Sequence, residues 1–581
     1  MNAGYLSGGA KDLHLLISTE ASCALDAEAQ AEWGFNIFAL MEAAGRSCAQ
    51  VCTGALPDLF RTRPKVTVAA GSGNNGVDAM VMLRYWILSE LVDPSSAVVI
   101  NRMPRSGETG PRVDLLRSLR KMKVPVLVWD GDIGEAAGRA SDDILAHSNI
   151  IVDGIAGTGL KGPLHGVALE MVQAINAHRN SEFGIRNSEF RKRHTPSHDT
   201  HSAAHFPQYS EFRIPHSEIG NRPFVVSVDL PSGNSDEWKP GMPIIEADLT
   251  LAIEPRKYCI YTPATRPYAG VVLPVRGIFP PGIIASYKGA EFLDWEFVRE
   301  RISKIRPDTY KNERGTVEVR AGSTGYTGAA LIAARGAQAA GAGLVRLVVD
   351  DEIYPIIASE VSGIMVIPAG EPGTTDFEEG RRGDAILLGP GWGIKGERTL
   401  VLKKALALEE KGVPLILDAD AIELARDMVF HGNVILTPHP GEFSRFTGIA
   451  REELLCRPAP ILLKYAQERN AVILFKGHVT TIAAPDGRLG VVDGMTPGLA
   501  AGGSGDLLAG FCAAIAARMV KEGRSFDGYT CAAAGAALLI ASGRSDKLKT
   551  RFTDPLELAG MAADLAGDAW LDLQGRTFLH G

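Results

Sequence analysis

Several features that direct a chain to a membrane, to nucleic acid or to secretion are missing from this sequence. No apolar run reaches the roughly 18 residues that a membrane-spanning helix needs. The formal net charge of -8 gives no reason to expect nucleic acid or an acidic membrane surface as a partner. The first 20 residues have no basic segment followed by an apolar one, so we expect no secretory signal and a cytoplasmic protein.

Paired cysteines are missing too. The seven cysteines are scattered, and none has the Cys-x-x-Cys spacing typical of zinc and redox sites. Most lie in apolar helical contexts, which favours buried thiols in a reducing compartment. Aromatic residues are few, whereas the 64 glycines suit an α/β fold with many tight turns. A chain of 581 residues exceeds what one hydrophobic core usually holds, so we expect two or more domains.

A glycine-rich turn follows the first predicted strand. Residues 64–70 have the β-branched pattern of a buried strand, and residues 71–78 (GSGNNGVD) lead from it into a helix. The turn has GxGxxG spacing, but the next predicted strand, residues 97–100, ends in Asn101 rather than in the acid that binds ribose in dehydrogenases. We therefore reject a dehydrogenase. The turn is either a plain Asn-Gly turn or a polar ligand site.

Two more predicted strands of the first half end in an acid followed by glycines. They end in Asp153 and Asp229. A lone aspartate at a strand end is often a helix cap. Together with the turn at residues 71–78, however, these residues predict a polar site at one carboxyl edge of a sheet, where open α/β folds bind ligands.

The remaining predicted elements of this half are a helix over residues 21–55 and strands over residues 124–128 and 247–253. Irregular structure is predicted from residue 263 to residue 294, with a domain boundary between residues 285 and 300. Residues 180–222 are polar, contain near repeats of Asn-Ser-Glu-Phe and hold five of the 13 histidines. They predict a disordered insertion, and their composition leaves a histidine metal site open.

The second half predicts another doubly wound α/β domain, because strand-like runs again stop at polar or glycine residues. These runs are residues 316–320, 344–349, 384–388, 413–417, 434–436 and 472–475. His439, between two prolines, and Lys476, at a strand end, would face the same edge. The commoner alternatives are a packed or capping side chain for His439 and a solvated side chain without a specific role for Lys476.

The segment 496–506 (TPGLAAGGSGD) is followed at once by an apolar helical run. Small residues 502–505 let the backbone approach a ligand, and the first amides of the helix favour a phosphate. Asp506 repels a phosphate, so we expect it to accept a proton from a hydroxyl beside one. The alternative is a helix cap, which Asp and Ser also favour.

The ordered set of motifs resembles the family of bifunctional NAD(P)H-hydrate repair enzymes. It comprises GSGNNGVD, VDGIAGTGLKGPL, SVDLPSG, AGSTGYTGAA, GPGWG, LDADA, LTPHPGEF, FKGHVT and TPGLAAGGSGD. The resemblance covers residues 18–575 apart from the insertion. It implies a Rossmann-like NAD(P)H-hydrate epimerase domain over residues 1–290 and a ribokinase-like, ADP-dependent NAD(P)H-hydrate dehydratase domain over residues 291–581.

In the first domain the resemblance implies a site for the hydrated nucleotide and a potassium site. The hydrate would be bound by Asn74, Asn75, Gly76, Val77, Asp78, Gly157, Thr158, Gly159, Leu160, Lys161, Gly162 and Pro163. Potassium would be ligated by Asn75, Asp153 and Ser232. Asp229 would contact the substrate and transfer the proton during epimerisation.

In the second domain the resemblance implies contacts with the hydrate and with ADP, which would bring Mg²⁺. The hydrate would meet Ala329, Gly393, His439 and Asp506, whereas ADP would meet Lys476, Gly477, His478, Val479, Thr480 and Gly505. Asp506 would be the catalytic base. The implied partners are the hydrates of NADH and NADPH together with ADP, and we expect a homo-oligomer.

The sequence departs from the family pattern at the first turn, which usually reads GNNGGDG. Val77 and Ala79 replace two of its glycines, and Thr496 replaces an asparagine of the last motif. If position 77 or 79 needs a positive φ, the loop must shift. Two alternatives remain: a C-terminal small-molecule kinase that leaves a stable phosphate ester, and an N-terminal half that binds a nucleotide without catalysis.

Overall fold

The chain forms two compact units, Met1–Gly289 and Ala290–Gly581. The structure is a computed structural model that describes residues 14–129, 141, 143–180, 214, 222–374, 377, 382–545 and 553–572. Apart from residues 180, 214 and 222, the predicted insertion at residues 180–222 lies outside this set. Within the described ranges, no helix combines the length and the apolar character needed to cross a bilayer.

The described strands of the first unit form a parallel sheet of seven strands and a separate pair. The order across the sheet is Val126–Val128, Ala97–Ile100, Val66–Ala70, Ile150–Gly154, Phe224–Val228, Leu249–Ile253 and Val271–Val275. The pair is Leu15–Ile17 with Arg256–Lys257. The central strands are buried along their whole length, as expected for a parallel sheet covered on both faces.

Helices pack on the sheet of the first unit. Their bounds are Thr19–Ala31, Ile37–Ala55, Pro57–Phe60, Asn74–Leu88, Pro111–Lys121, Gly166–Asn180 and Pro281–Ile284, with 3₁₀ turns at Tyr258–Tyr261 and Arg266–Ala269. The predicted single helix over residues 21–55 is wrong, because the chain breaks at Gly34, which has a φ of 71°. The Asn36 side chain then caps the second helix by accepting from the Phe38 amide at 2.8 Å.

A further strand lies in the region predicted to be irregular. Val271–Val275 pairs in parallel with Leu249–Ile253 and ends the sheet. Pro274 obscured this strand in the sequence, because proline lacks the amide that a central strand needs. At the edge of a sheet that loss is tolerated.

The second unit has a mixed sheet of ten described strands. Their order is Met365–Pro368, Leu344–Val349, Thr316–Arg320, Ala385–Leu388, Leu415–Leu417, Val434–Leu436, Val472–Phe475, Val479–Ala483, Leu489–Asp493 and Ala290–Phe292. All pairings are parallel except those of Val479–Ala483, which runs antiparallel to both neighbours. The prediction of a doubly wound domain holds for the parallel part of the sheet. The sequence analysis did not predict the antiparallel strand Val479–Ala483.

The helices of the second unit are rich in alanine and glycine. Their bounds are Trp295–Arg299, Thr327–Ala339, Tyr354–Glu360, Arg398–Glu409, Asp420–Leu424, Pro440–Thr447, Arg451–Cys456, Pro458–Arg469, Ser504–Lys521, Gly528–Gly543 and Pro555–Trp570, with 3₁₀ turns at Lys311–Glu313 and Pro497–Leu499. Thr327–Ala339 packs closely on Ser504–Lys521. A Cβ on Gly510 would lie 2.3 Å from the Ala333 carbonyl oxygen, so this crossing requires glycine.

We predict that Gly510→Ala lowers the free energy of unfolding by about 1–3 kcal/mol, because two helix backbones must separate to admit the methyl group. Gly560→Ala is the matched control, since a Cβ there meets nothing within 4 Å on a helical surface. Its higher helix propensity should raise stability by up to about 1 kcal/mol. Urea denaturation of the full chain measures both, and equal effects of the two substitutions would refute the packing argument.

Candidate active sites

A cavity of about 590 Å³ opens beyond the carboxyl ends of the parallel strands in the first unit. Eight residues of the predicted site line it: Asn74, Asn75, Asp78, Gly157, Thr158, Gly159, Leu160 and Asp229. Five others lie beside these in the chain without lining the cavity: Gly76, Val77, Lys161, Gly162 and Pro163. The structure therefore brings both predicted segments and Asp229 to one edge of the sheet.

The turn at residues 74–78 is the first turn of the helix Asn74–Leu88. Its N-cap, Gly73, has no side chain to bond the first backbone amides of the helix. These amides lie at the end of the helix that borders the cavity. Val77 and Ala79 have helical backbone rather than the positive φ considered above, and both side chains are buried. The two replacements of glycine therefore require no shift of the loop.

Asp229 is held in place by a lysine that the sequence analysis did not assign to the site. Lys257 Nζ donates to Asp229 Oδ1 at 2.6 Å and to the Ile253 carbonyl at 3.0 Å. The Ile253 amide also donates to Asp229 Oδ1, at 3.2 Å. Asp229 has a φ of 66°, which is unusual for a residue with a side chain, and these bonds offset that strain.

Three further carboxyls line this cavity, those of Asp26, Asp78 and Glu254, and the sequence analysis missed Asp26 and Glu254. Burial raises the pKa of Asp26 to about 6, with Lys257 opposing the rise and Asp229 adding to it. Burial, reinforced by the charges of Asp229 and Asp26, holds the pKa of Asp78 well above its usual range. Helical spacing was the available signal for Asp26, since it shares a face with the buried residues Ser22 and Ala29.

The three predicted potassium ligands lie around one carbonyl oxygen, that of Ala156. Asn75 Nδ2 and Ser232 Oγ each donate to it at 3.0 Å. Asp153 accepts bonds from Ser232, including one from its amide at 2.9 Å, and from the Ser227 hydroxyl at 2.8 Å. Burial raises the pKa of Asp153 although these bonds oppose it. A carbonyl, hydroxyls and a buried carboxylate are hard oxygen donors, which fit a cation such as K⁺.

In the second unit, Asp506 lies in the first turn of the helix Ser504–Lys521. Gly503 precedes this helix with a φ of 95° and offers no side-chain cap. Burial raises the pKa of Asp506 to about 7; the charge of Asp418 adds to the rise and that of Lys476 opposes it. A half-buried carboxyl that titrates near neutrality, beside free helix amides, is suited to accept a proton next to an anion.

Lys476 follows the strand Val472–Phe475, and its side chain lies near the start of the helix Ser504–Lys521. Its Nζ donates to Asp418 Oδ1 at 2.6 Å, and the Thr437 hydroxyl donates to the same oxygen at 2.6 Å. Burial lowers the pKa of Lys476, but the charges of Asp418 and Glu442 more than compensate, so the ammonium stays protonated. A Cβ on Gly505 would lie 3.2 Å from Nζ, which places the ammonium against the helix start.

His439 caps the helix Pro440–Thr447 with its ring. Its Nδ1 accepts from the Gly441 amide at 3.0 Å, and the Glu442 carboxylate accepts from the His439 amide at 2.9 Å. Burial lowers the pKa of His439, and the charge of Glu442 opposes the shift. The ring is therefore neutral near pH 7 and carries its proton on Nε2, which lies 3.4 Å from Glu442 Oε1.

The remaining predicted residues surround these groups in different ways. Gly393 lines a polar cavity of about 1180 Å³ together with Asp420 and Glu442, and its amide donates to Asp420 at 2.7 Å. Ala329 is half-buried on the neighbouring helix Thr327–Ala339. Asp506 does not line this cavity, but the charge of Glu442 raises its pKa.

The segment 476–480 is more buried than predicted for a nucleotide-binding turn. Gly477 and His478 are exposed, whereas Val479 and Thr480 begin an antiparallel strand and are buried. Val479 is fully buried and offers no surface to a nucleotide. In the described part of the chain, no three side chains of His, Cys, Asp or Glu form a metal-binding group.

Comparisons with family models and with known proteins find similarity over nearly the whole chain. Residues 317–560 match the family model for NAD(P)H-hydrate dehydratase, and residues 38–259 match the model for the YjeF-related protein N-terminus. The bifunctional NAD(P)H-hydrate repair enzyme of Moorella thermoacetica is 29% identical over 537 residues, which cover 89% of this chain and 90% of that protein. The corresponding enzyme of Escherichia coli is 27% identical over 93% of this chain and 90% of its own length.

This chain belongs to the family of bifunctional NAD(P)H-hydrate repair enzymes. The predicted family and the predicted α/β class are therefore confirmed. Among solved structures, the ADP/ATP-dependent NAD(P)H-hydrate dehydratase of Bacillus subtilis, co-crystallised with ATP and Mg²⁺, is 28% identical. It covers 48% of this chain and 99% of its own, with a TM-score of 0.42.

We predict that Lys257→Met lowers the free energy of unfolding at pH 7 by about 3 kcal/mol, because it leaves the buried Asp229 carboxylate unpaired. A neutral side chain at position 229 should tolerate loss of the ammonium better than the carboxylate does. Lys288→Met, at an exposed position, is the control and should change stability by less than about 0.5 kcal/mol.

Chemical denaturation at pH 7 measures both variants. Adding Asp229→Asn to Lys257→Met should recover part of the loss, since the two residues are in contact. Additive losses in the double variant would mean that the ion pair is not the source of the effect.

Proposed function

We propose that this protein repairs hydrated nicotinamide cofactors with both of its units. The first unit interconverts the R and S hydrates of NADH and NADPH. The second uses ADP as the phosphoryl donor to dehydrate the S hydrate. The observation on which this proposal depends most is Asp506, whose pKa of about 7 places a proton acceptor at an uncapped helix start beside the Lys476 ammonium.

The chemistry of the second unit follows from these groups. Asp506 accepts the proton of the substrate hydroxyl, whose oxygen attacks the terminal phosphorus of ADP and releases AMP. The helix amides near Gly505 and the Lys476 ammonium stabilise the charge of the transferring phosphoryl group. The ring nitrogen then expels phosphate, a far better leaving group than hydroxide. Loss of a proton from the adjacent ring carbon completes NADH or NADPH.

Magnesium would accompany the nucleotide, since Mg²⁺ is usually held by phosphates, waters and one or two carboxylates. Asp420 and Glu442, which line the larger cavity, are carboxylates that could supply such ligands. When bound, the ion would neutralise phosphate charge. The neutral His439 ring would hydrogen-bond the hydrate through its Nε2 proton.

In the first unit, Asp229 would exchange a proton with the substrate in the cavity beneath Asn74 and Gly157. Asn75, Asp153, Ser232 and the Ala156 carbonyl would hold K⁺, which would supply positive charge near the hydrate. Interconversion of the epimers makes the whole hydrate pool available to a dehydratase that accepts one of them. A homo-oligomer is also part of the proposal, and it rests on the family resemblance alone.

We predict that Asp506→Asn lowers the rate of ADP-dependent recovery of NADH by about 10²–10⁴-fold, as removal of a general base does. In the unchanged protein the base must be ionised, so the rate should rise with pH through about 7 and be lost below it. Absorbance of the reduced nicotinamide follows the reaction. Asp564→Asn, on an exposed helical surface, is the matched control.

The products of the same reaction separate a dehydratase from the alternative kinase. Free phosphate and NADH support the proposal, whereas a stable phosphorylated product would establish a kinase. Full activity in Asp506→Asn would remove Asp506 from the role of base.

We predict that Asp229→Ala and Asp229→Asn stop interconversion of the two hydrate epimers, because the proton-transfer group is lost. When both epimers and ADP are supplied, recovery of NADH should then stop at the share of one epimer, whereas the unchanged protein recovers both. Chromatographic separation of the epimers measures this directly. Glu237→Gln, at an exposed position, is the control, and an unchanged rate of interconversion in both Asp229 variants would reject the assignment.

A further inference from the structure

Four carboxyls and one ammonium line the cavity of the first unit, and three of the carboxyls, Asp26, Asp78 and Asp229, interact with the Lys257 ammonium. Asp26 comes from the helix Thr19–Ala31 and Asp78 from the helix Asn74–Leu88, whereas Asp229 and Lys257 follow strand ends. We refer to these four side chains as the carboxyl pocket. Family resemblance assigned roles to Asp78 and Asp229, but it left Asp26 without one.

One oxygen of the carboxyl pocket has no partner within the described structure. Asp78 is 8% exposed, and its Oδ1 is buried without a hydrogen bond. A buried polar atom without a partner is costly, so such an atom on a cavity wall indicates that a ligand group completes it. The pocket is therefore built to hold a polar group of a substrate among its carboxyls.

The three carboxyls of the carboxyl pocket differ in their surroundings. Asp229 forms the ion pair with Lys257. Burial and its carboxylate neighbours hold the pKa of Asp78 well above its usual range. Burial raises the pKa of Asp26 to about 6. Neighbouring carboxyls whose surroundings differ in this way can take the separate roles of proton donor and proton acceptor.

We propose that Asp26 is the second proton-transfer residue of the epimerisation, acting together with Asp229. The proposal rests on the function proposed above and deepens it. Inversion at the hydroxyl-bearing ring carbon needs a group that protonates the departing oxygen and a group that deprotonates the incoming one. Asp26 and Asp229 line the same cavity and supply the two groups.

The reaction balances with water as its only co-reactant. The lone pair of the ring nitrogen breaks the carbon–oxygen bond, and the hydroxyl leaves as water with the proton of Asp26. A second water adds to the opposite face of the resulting iminium carbon, forming the new carbon–oxygen bond, and its proton passes to Asp229. The reverse reaction uses the same groups in exchanged protonation states, and exchange with solvent restores the starting state.

Other titratable groups surround Asp26 and bear on its pH dependence. Lys257 and Asp229 act on it most directly, and Asp78 interacts with it across the cavity. Cys23 and Glu254 also line the cavity, and burial raises the pKa of Glu254. Groups farther out are Glu28, Glu32, Cys48 and Tyr287. Burial raises the pKa of the Cys48 thiol, and burial with the charge of Glu28 raises that of Tyr287 to about 12, so neither changes charge between pH 5 and 8.

The test uses the full chain with each purified epimer of the NADH hydrate, without ADP, and subtracts the spontaneous rate. Asp26→Asn should lower kcat about 100-fold or more while KM changes less than about threefold, because proton transfer is lost and binding is not. Asp26→Glu should restore part of kcat. Glu32→Gln is the matched control, because Glu32 is an exposed carboxylate at the C-terminal end of the same helix, Thr19–Ala31.

Two further measurements test the proposed mechanism of epimerisation. The rate of the unchanged protein should fall as the pH rises above about 6, where Asp26 loses its proton, and Asp26→Asn should lack this limb. In water labelled with ¹⁸O, each inversion should place one labelled oxygen on the ring carbon. Both readings are independent of the loss of activity in a variant.

The contrary outcomes are distinct from one another. A kcat for Asp26→Asn within threefold of the unchanged protein, or a loss confined to KM, would overturn the role of Asp26, as would inversion without label. If Asp26→Asn does not fold, a rate in the unchanged protein that keeps rising from pH 6 to pH 8 would do the same. Absence of any interconversion by the unchanged protein would reject the proposed epimerase, and the role of Asp26 with it.

Discussion

Both sites depend on an ion pair between a lysine near a strand end and a buried aspartate. Lys257 Nζ lies 2.6 Å from Asp229 in the first unit, and Lys476 Nζ lies 2.6 Å from Asp418 in the second. A buried carboxylate without such a partner would take up a proton or destabilise the fold. Each ammonium therefore offsets the burial of one carboxylate, and it cannot fully compensate a second one nearby. That second carboxyl, Asp26 or Asp506, is where the pKa moves toward neutrality.

The two units apply this arrangement in different surroundings. In the first unit the carboxyls lie in a cavity with one ammonium, so the site suits proton exchange with an uncharged hydroxyl. In the second unit the titrating acid itself, Asp506, lies in the first turn of an uncapped helix, whose backbone amides favour an anion at the same place, whereas Asp26 lies well inside the helix Thr19–Ala31. The difference between exchanging protons and transferring a phosphoryl group thus follows from which backbone element carries the titrating acid.

The sequence predicted the strands and the polar residues at their ends better than it predicted what surrounds them. Asp153, Asp229 and Asp506 were found because glycines and β-branched runs mark strand and helix ends locally. Lys257 and Asp26 were not assigned to the site, because their significance arises from Asp229, which is distant in sequence: Lys257 contacts it, and its charge acts on Asp26. Burial of Val479 was missed for a related reason. The strand Val479–Ala483 is antiparallel to both of its neighbours, and a short strand of this kind resembles a loop in the sequence when its partners are unknown.

The replacement of family glycines at positions 77 and 79 shows which glycines this loop needs. A Cβ on Gly76 would lie 2.4 Å from the Gly71 carbonyl oxygen, and one on Gly154 would lie 2.6 Å from the Ala79 Cβ. These glycines are required by close approach of the backbone, and the chain keeps them. Val77 instead points into the core, where a larger side chain adds buried apolar surface without touching the turn. The geometry that presents Asn75 and Asp78 to the cavity is therefore set by Gly71, Gly76 and Gly154, and it tolerates variation on the face of the helix turned away from the substrate.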